Sequence, residues 1–420
     1  MATVRPFKAI RPKTELAEKI ASVPYDVVTK EEAVEIAADN PLSFLHVIRP
    51  EIDLPEGTDL YSEVVYEKAR ENFNALISSG RLISEEKASF YIYRLESEGR
   101  SQIGIAGCSS VEDYDKGIIK KHEVTRKAKE DDRVRHMLAL SAHAGPVLLT
   151  FRKTEELARI INLEIEKPSL YDFIAEDGVR HTVWKTEDPR PIEKAFDTIP
   201  ALYIADGHHR AAGASRVRAE MLKKQENPGT EDKEWNYFLT VAFPSDQLTI
   251  FPYNRYILPA AVKENDTFLR EVEKRFDLKR NSEKAAGNKE LKKEPEEKGE
   301  ICMYLDGTWY TLQEKTSGPG TNSSWDPVGA LDLSVFQRTL LEPVLEIKDQ
   351  RNDKRIDFVG GSGSAEKLEN MVDSRGGAAF TFYPVLLEEL LAVADAGMIM
   401  PPKSTWFEPK LRSGLLVHGF

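Results

Sequence analysis

Five consecutive residues, Asp206-Gly207-His208-His209-Arg210, combine a carboxylate, a glycine, two imidazoles and a guanidinium. They follow a short apolar run, ALYIA, and precede a helix-like stretch, AAGASRVRAEMLKKQ. A strand end that runs into a helix N-terminus attracts anions, because unpaired backbone N–H groups and the helix dipole favour negative charge there. Gly207 lets the backbone approach a ligand closely. Asp206 offers oxygen to a hard cation such as Mg²⁺. His208, His209 and Arg210 are expected to hold phosphate oxygens with Gly207, the arginine in bidentate fashion. The competing reading is an N-cap aspartate with surface histidines. Five such groups in a row behind a buried strand weigh against it.

A second cluster is Lys120-Lys121-His122-Glu123-Val124-Thr125-Arg126, followed by Lys129, Glu130 and Arg133. Glu123 lies among cations, which keep it ionised. Within reach of a substrate hydroxyl it would act as a general base. His122, Thr125 and Arg126 are expected to line the substrate. For the segment as a whole the competing reading is a charged, solvated helix with i,i+4 pairs. Zinc is disfavoured, since His122, His208 and His209 show neither HxxxH nor HExxH spacing. His136 and His143 read as packing or capping histidines.

The third cluster is Lys403-Ser404-Thr405, with Lys410 and Ser413, inside PPKSTWFEPKLRSG. A lysine beside two hydroxyls suits a phosphate, and Pro401, Pro402 and Pro409 would stiffen the loop. No Gly-rich run precedes Lys403, so this is no P-loop. The competing reading is a rigid packed tail. Asn254 and Arg255, ending FPYNR, are weaker substrate-binding candidates. Arg355, Arg5 and Lys8 are weaker still.

The elements that must position these groups alternate between strand and helix. KEEAVEIAADN (30–40) and LYSEVVYEKARENFNALISSGRL (60–82) have helical spacing, the second ending at Gly80. LSFLHVIRP (42–50) reads as a strand. IIKKHEVTRKAKEDDRVRHM (118–137) reads as a strand edge running into a charged helix. AGPVLLTF (144–151) and ALYIA (201–205) are buried strands. Two stretches, 281–300 and 316–327, read as a charged insertion and a Gly/Ser/Asn-rich loop. The expected fold is mixed α/β with two lobes, 1–190 and 191–420, and the site between them.

The 420 residues are 41% hydrophobic and 30% charged, an ordinary globular balance. A net charge of −12 argues against a nucleic-acid coat, which needs clustered positive charge. Two cysteines, Cys108 and Cys302, cannot build a disulfide framework. A charged N-terminus without an apolar run, and no long apolar stretch, predict a cytoplasmic protein with no membrane partner.

DGHHR behind a strand is similar to the phosphate-binding motif of the free L-serine kinases of the ParB/sulfiredoxin superfamily. RPFKAIRP, VPYDVV, NPLSFLHVIRPE, KHEVTRKAKEDDR, LYIADGHHRAA, FPYNR, RIDFVGG and MPPKSTWFEPKLRSG together resemble a large bacterial family long labelled as of unknown function and related to those kinases. The resemblance implies a ParB/sulfiredoxin-like lobe at 191–420. It implies phosphorylation of free L-serine, or a similar hydroxy amino acid, to O-phosphoserine with Mg²⁺, the donor being pyrophosphate, ATP or ADP. It places Mg²⁺ on Asp206 and phosphates on His209 and Arg210, with Glu123 matching the upstream catalytic base. Two alternatives stay open: a ParB-like nucleotide-binding or nucleotide-hydrolysing switch, and a metal-dependent phosphatase using the same Asp/His/Glu set.

Overall fold

Apolar runs bounded by glycine and charge form the strands that carry the site. In a computed structural model, residues 1–225, 232–262, 264–281, 291–315 and 326–420 are described. The fold is mixed α/β, and the chain forms two units, Met1–Leu248 with Pro409–Phe420, and Thr249–Glu408.

The first unit is built on a nine-stranded sheet. Its strands are β1 (Val4–Arg5), β2 (Tyr91–Ser97), β3 (Arg100–Ser110), β4 (Ile119–Lys120), β5 (Val147–Phe151), β6 (Tyr171–Ile174), β7 (Arg180–Lys185), β8 (Leu202–Asp206) and β9 (Tyr237–Pro244). Their spatial order is β4-β8-β5-β9-β3-β2-β7-β6, with β1 on β3. The two central runs, VLLTF in β5 and LYIA in β8, are buried along their whole length. They read as continuous apolar runs because both faces of the sheet are covered there. Leu149, Phe151, Leu202 and Ile204 pack with Leu157, Ile160, Ile192 and Phe196 of the covering helices.

Three helices frame the site: α1 (Glu63–Ser78), α2 (Lys127–Leu140) and α3 (His208–Lys224). Val134 and Met137 of α2 meet Val217 of α3 in a small apolar cluster. Tyr66 of α1 donates to Asp132 of α2 at 3.0 Å. The helix expected at 30–40 forms over Lys30–Ala37, where Thr29 and Glu32 make a reciprocal capping box.

LSFLHVIRP is not a strand. It forms a helical turn, Leu45–Ile48, followed by a 3-10 turn, Pro50–Asp53. Phe44, Leu45 and Val47 are all 0% exposed. Its less buried residues, Leu42, His46 and Arg49, recur every three to four positions, the spacing of a helix and not the alternation of a strand.

The C-terminal strand Val417–Gly419 pairs with Ala9–Pro12 and Ala142–His143. The last twelve residues therefore belong with the N-terminal ones. The expected boundary at 190/191 falls inside the first unit, because β7 and β8 are strands of one sheet. DGHHR lies on the N-terminal side of the division.

The second unit holds a six-stranded antiparallel sheet. Leu368 and Val372 of the helix Ser364–Arg375 pack on Tyr256 and Ala379 of that sheet. Parts of the expected charged insertion (282–290) and of the Gly/Ser/Asn-rich loop (316–325) lie outside the described residues.

Candidate functional site

β8 ends on Asp206, and its pairing with β5 shifts register between Ile204 and Asp206. Such an irregularity re-aims the side chain that follows it. Gly207 then adopts φ +95° and opens α3. A Cβ there would stand 3.3 Å from Val147 Cα, so glycine is required twice, by dihedral and by space.

The second cluster reaches the same place through sheet register. β4 runs parallel to β8, with Leu202 opposite Ile119 and Tyr203 opposite Lys120, an offset of 83 residues. Beyond these pairs the two segments remain in contact. Arg126 N donates to His209 Nε2 at 3.1 Å. Glu123 Oε2 lies 3.8 Å from His208 Nδ1, near enough for charge to act and too far for a hydrogen bond. The His122 ring meets the His208 ring edge-on, with centroids 4.6 Å apart.

The electrostatics sort these groups. Burial disfavours a charged Asp206, but Lys410 and Arg210 outweigh it and hold the carboxyl well below its ordinary range. Lys410 Nζ donates to Asp206 Oδ2 at 3.0 Å, and the backbone N of Gly207 donates to Oδ1 at 2.8 Å. Burial lowers His208 to about 4 and takes His122 well below the usual imidazole value. Both rings are therefore neutral at pH 7. The buried Nε2 of His208 has no hydrogen-bond partner among the described residues. Arg210 donates to Pro146 O at 2.8 Å and to Asp26 at 3.3 Å.

Beside Arg210 lies a small, water-sized pocket of about 20 Å³, lined among others by Tyr25, Arg133, Gly145 and Ser413. Arg133 Cζ lies 3.6 Å from the centre of the Tyr25 ring, and Arg210 Cζ lies 5.5 Å from it.

The structure thus brings together Glu123, His122, Arg126 (through its backbone), Asp206, Gly207, His208, His209 and Arg210. Other candidates are corrected by their partners. Thr125 donates its hydroxyl to Glu130, which also pairs with Arg216, so it braces α2 against α3. Asn254 and Arg255 are 0% exposed and belong to the second unit. Asn254 Nδ2 donates to Ser364, and its Oδ1 accepts from Phe382 N. Arg255 donates to Gln350 and to the carbonyls of Tyr253, Lys403 and Pro402. Burial without a carboxylate partner lowers it to about 9. Both are spent on holding the second unit together.

Lys403, Ser404 and Thr405 lie in the second unit as well. The buried Ser404 hydroxyl donates to Pro401 O at 2.7 Å, which removes it as a phosphate donor. Lys403 Nζ sits 5.4 Å from the Tyr253 ring centre. His136 follows its packing reading, buried with Nε2 2.9 Å from Val47 O.

Sequence reasoning undervalued Lys410 beside Lys403, and it gave no role to Tyr25 or Asp26. The only signals were polar residues inside VPYDVV and PKLRSG, far from DGHHR along the chain.

For a magnesium ion the donor set is one ionised carboxylate that already attracts a cation, Asp206, with a second carboxylate, Glu123, across the turn. That fits a cation which keeps most of its waters and completes its shell from substrate phosphates. Among the described residues no three His, Cys, Asp or Glu side chains gather as a self-sufficient metal cluster. None of the described helices is long and apolar enough to cross a membrane.

Residues 4–334 match the family model described as "Protein of unknown function (DUF1015)". No curated protein matches the chain. Among solved structures, a free serine kinase in complex with AMP is similar at 14% identity and TM-score 0.35, covering 73% of this chain and 90% of its own. SbnI with a C-terminal truncation, from Staphylococcus aureus, is similar at 11% identity and TM-score 0.37, covering 74% and 86%. A conserved hypothetical protein from Pyrococcus furiosus is similar at 13% identity and TM-score 0.35, covering 73% and 94%.

Proposed function

Since the chain belongs to the family described as a protein of unknown function (DUF1015), we propose its activity from its own site: a small-molecule kinase that moves a phosphoryl group to the hydroxyl of free L-serine. The observation that carries this reading is the Glu123 carboxylate beside the Asp206–Arg210 turn. The motif resemblance of DGHHR supports it.

Phosphoryl transfer asks a protein mainly for positioning and for neutralisation of charge. The opening turn of α3 and the Arg210 guanidinium would take oxygens of the donor, which is pyrophosphate, ATP or ADP. Asp206, kept ionised, would hold Mg²⁺, which when bound spreads the negative charge developing on the transferred group. Glu123 would accept the proton of the serine hydroxyl as the new O–P bond forms and the bond to the leaving phosphate oxygen breaks. His208, neutral and packed against His122, would not compete for that proton. Arg126, fixed at the start of α2, is the cation proposed for the serine carboxylate.

The test crosses pyrophosphate, ATP and ADP with serine, threonine and homoserine, with Mg²⁺, followed by phosphorus NMR. O-phosphoserine should appear with at least one donor. Glu123→Gln should lower kcat by about 10²–10⁴ with the protein still folded. No phosphorylated product from any pair, or an unimpaired Glu123→Gln variant, would overturn the proposal. Phosphate release without an acceptor would favour a hydrolase or a nucleotide switch instead.

A further inference from the structure

The C-terminal tail puts a lysine where a metal would be expected. Asp206 Oδ1 accepts from the backbone N of Gly207 at 2.8 Å, and Lys410 Nζ sits on Oδ2, an oxygen that could meet a cation, at 3.0 Å. The lysine side chain is 17% exposed, at the end of a segment fixed from behind. Ser413 exchanges two backbone hydrogen bonds with Ser22, at 3.0 and 2.9 Å. Arg412 Nε donates to His181 at 3.1 Å, and its Nη2 pairs with Asp177 at 2.5 Å. Gly414, at φ +84°, lies so close to Phe44 that a Cβ would fall 2.5 Å from its ring. These clamps hold the tail backbone that carries Lys410. Ser413, three residues on, lines the pocket beside Arg210.

Resting on the kinase reading above, we propose that Lys410 is a phosphate-binding residue of the site, held on Asp206 in the resting protein and passed to the donor's phosphate oxygens when a divalent cation takes Asp206 Oδ2. Two cations repel one another on one carboxylate oxygen, so the arriving metal itself drives the transfer. An ammonium is suited to this because it is a compact point charge with three rotatable donors on a flexible stem. The swap keeps Asp206 paired in both states, and it keeps the number of positive charges facing the donor high only when the metal is present.

The test is calorimetric titration of the full-length protein with inorganic pyrophosphate and with ADP, first in EDTA and then with Mg²⁺. With Mg²⁺, Lys410→Met should weaken binding about tenfold or more, the loss of one charge-assisted contact, and Lys410→Arg should restore most of it. In EDTA, Asp206→Asn should strengthen binding, because it removes a negative charge and releases Lys410. With Mg²⁺ the same variant should weaken it. A lysine that only braces the fold would lower the melting temperature in Lys410→Met and leave affinity unchanged, which overturns the proposal. So does a folded wild-type protein that binds neither probe. Altered pyrophosphate binding without any phosphoserine formation would remove the kinase reading and leave Lys410 in place. Wild-type affinity and turnover in Lys410→Met would do the reverse.

Discussion

Arg210 and Arg255 carry the same guanidinium to different ends. Arg210 stands beside Asp206, with a pocket at its side. Arg255 is closed in by four acceptors, three of them backbone carbonyls, over the Phe358 and Phe382 rings. Nothing in FPYNR separates a buried strut from a substrate cation, because the distinction lies in Gln350, Pro402 and Lys403, which only the fold brings there. Arg255→Met would orphan those acceptors in the interior. The expected cost is about 3–5 kcal/mol of stability, read as a lower urea midpoint, with serine KM unchanged in whatever protein remains folded. A stable variant with a raised KM would return Arg255 to the substrate. Lys410 was hidden in the opposite way. Its partner Asp206 lies 204 residues away along the chain, so no local pattern ties them.

At the scale of elements, the turn between β8 and α3 was legible because everything it needs is contiguous: an apolar run, an acid, a glycine and a helix-forming stretch. The site's other half was only partly legible. Glu123 stood out by its cationic neighbours, but its placement depends on β4, a parallel strand of two residues that no periodicity reveals. LSFLHVIRP failed for another reason, since its helical spacing of Leu42, His46 and Arg49 spans only two turns and passes for alternation. The division at 248/249 was invisible because the last twelve residues return to the first unit. The turn itself makes a sharp prediction. Gly207→Ala forces a side chain into φ +95° and against Val147. The expected loss is about 1–3 kcal/mol, together with weakened pyrophosphate binding as the opening of α3 shifts. Denaturant melts and the same calorimetry measure both, and a variant matching wild type in each would show that the turn is not the phosphate cradle.

Across the molecule, the titrating groups are divided unequally between the two units. All eight histidines lie in the first, and none lies in Thr249–Glu408. Burial lowers His136 and His208 to about 4 and His181 to about 3, and pushes His122, His143 and His418 below the usual value too. Each of these stays neutral in the folded unit while the unfolded chain protonates near 6.5. Below that pH the unfolded state binds more protons, so stability falls as pH drops from 6.5 toward the folded values. For His136 and His208 the loss is on the order of 3 kcal/mol each by pH 4. Asp206 adds to it only lower down, since its depressed value is lost as pH falls through and below the ordinary carboxyl range. His46, raised by its hydrogen bond to Asp53, opposes the trend for one site. In the second unit burial raises Glu294 and Asp332, so acid relieves them, while Glu271, Glu300 and Asp353, lowered by their lysine and arginine partners, lose that stabilisation only as pH falls through the ordinary carboxyl range. The first unit should therefore open between about pH 6 and 4 while the second holds. Hydrogen exchange at pH 7 and 4.5, corrected for intrinsic rates, should show protection lost in peptides from 1–248 and kept in those from 249–408. Loss in both units at the same pH, or in the second first, would mean that the buried histidines do not set the acid limit of this fold.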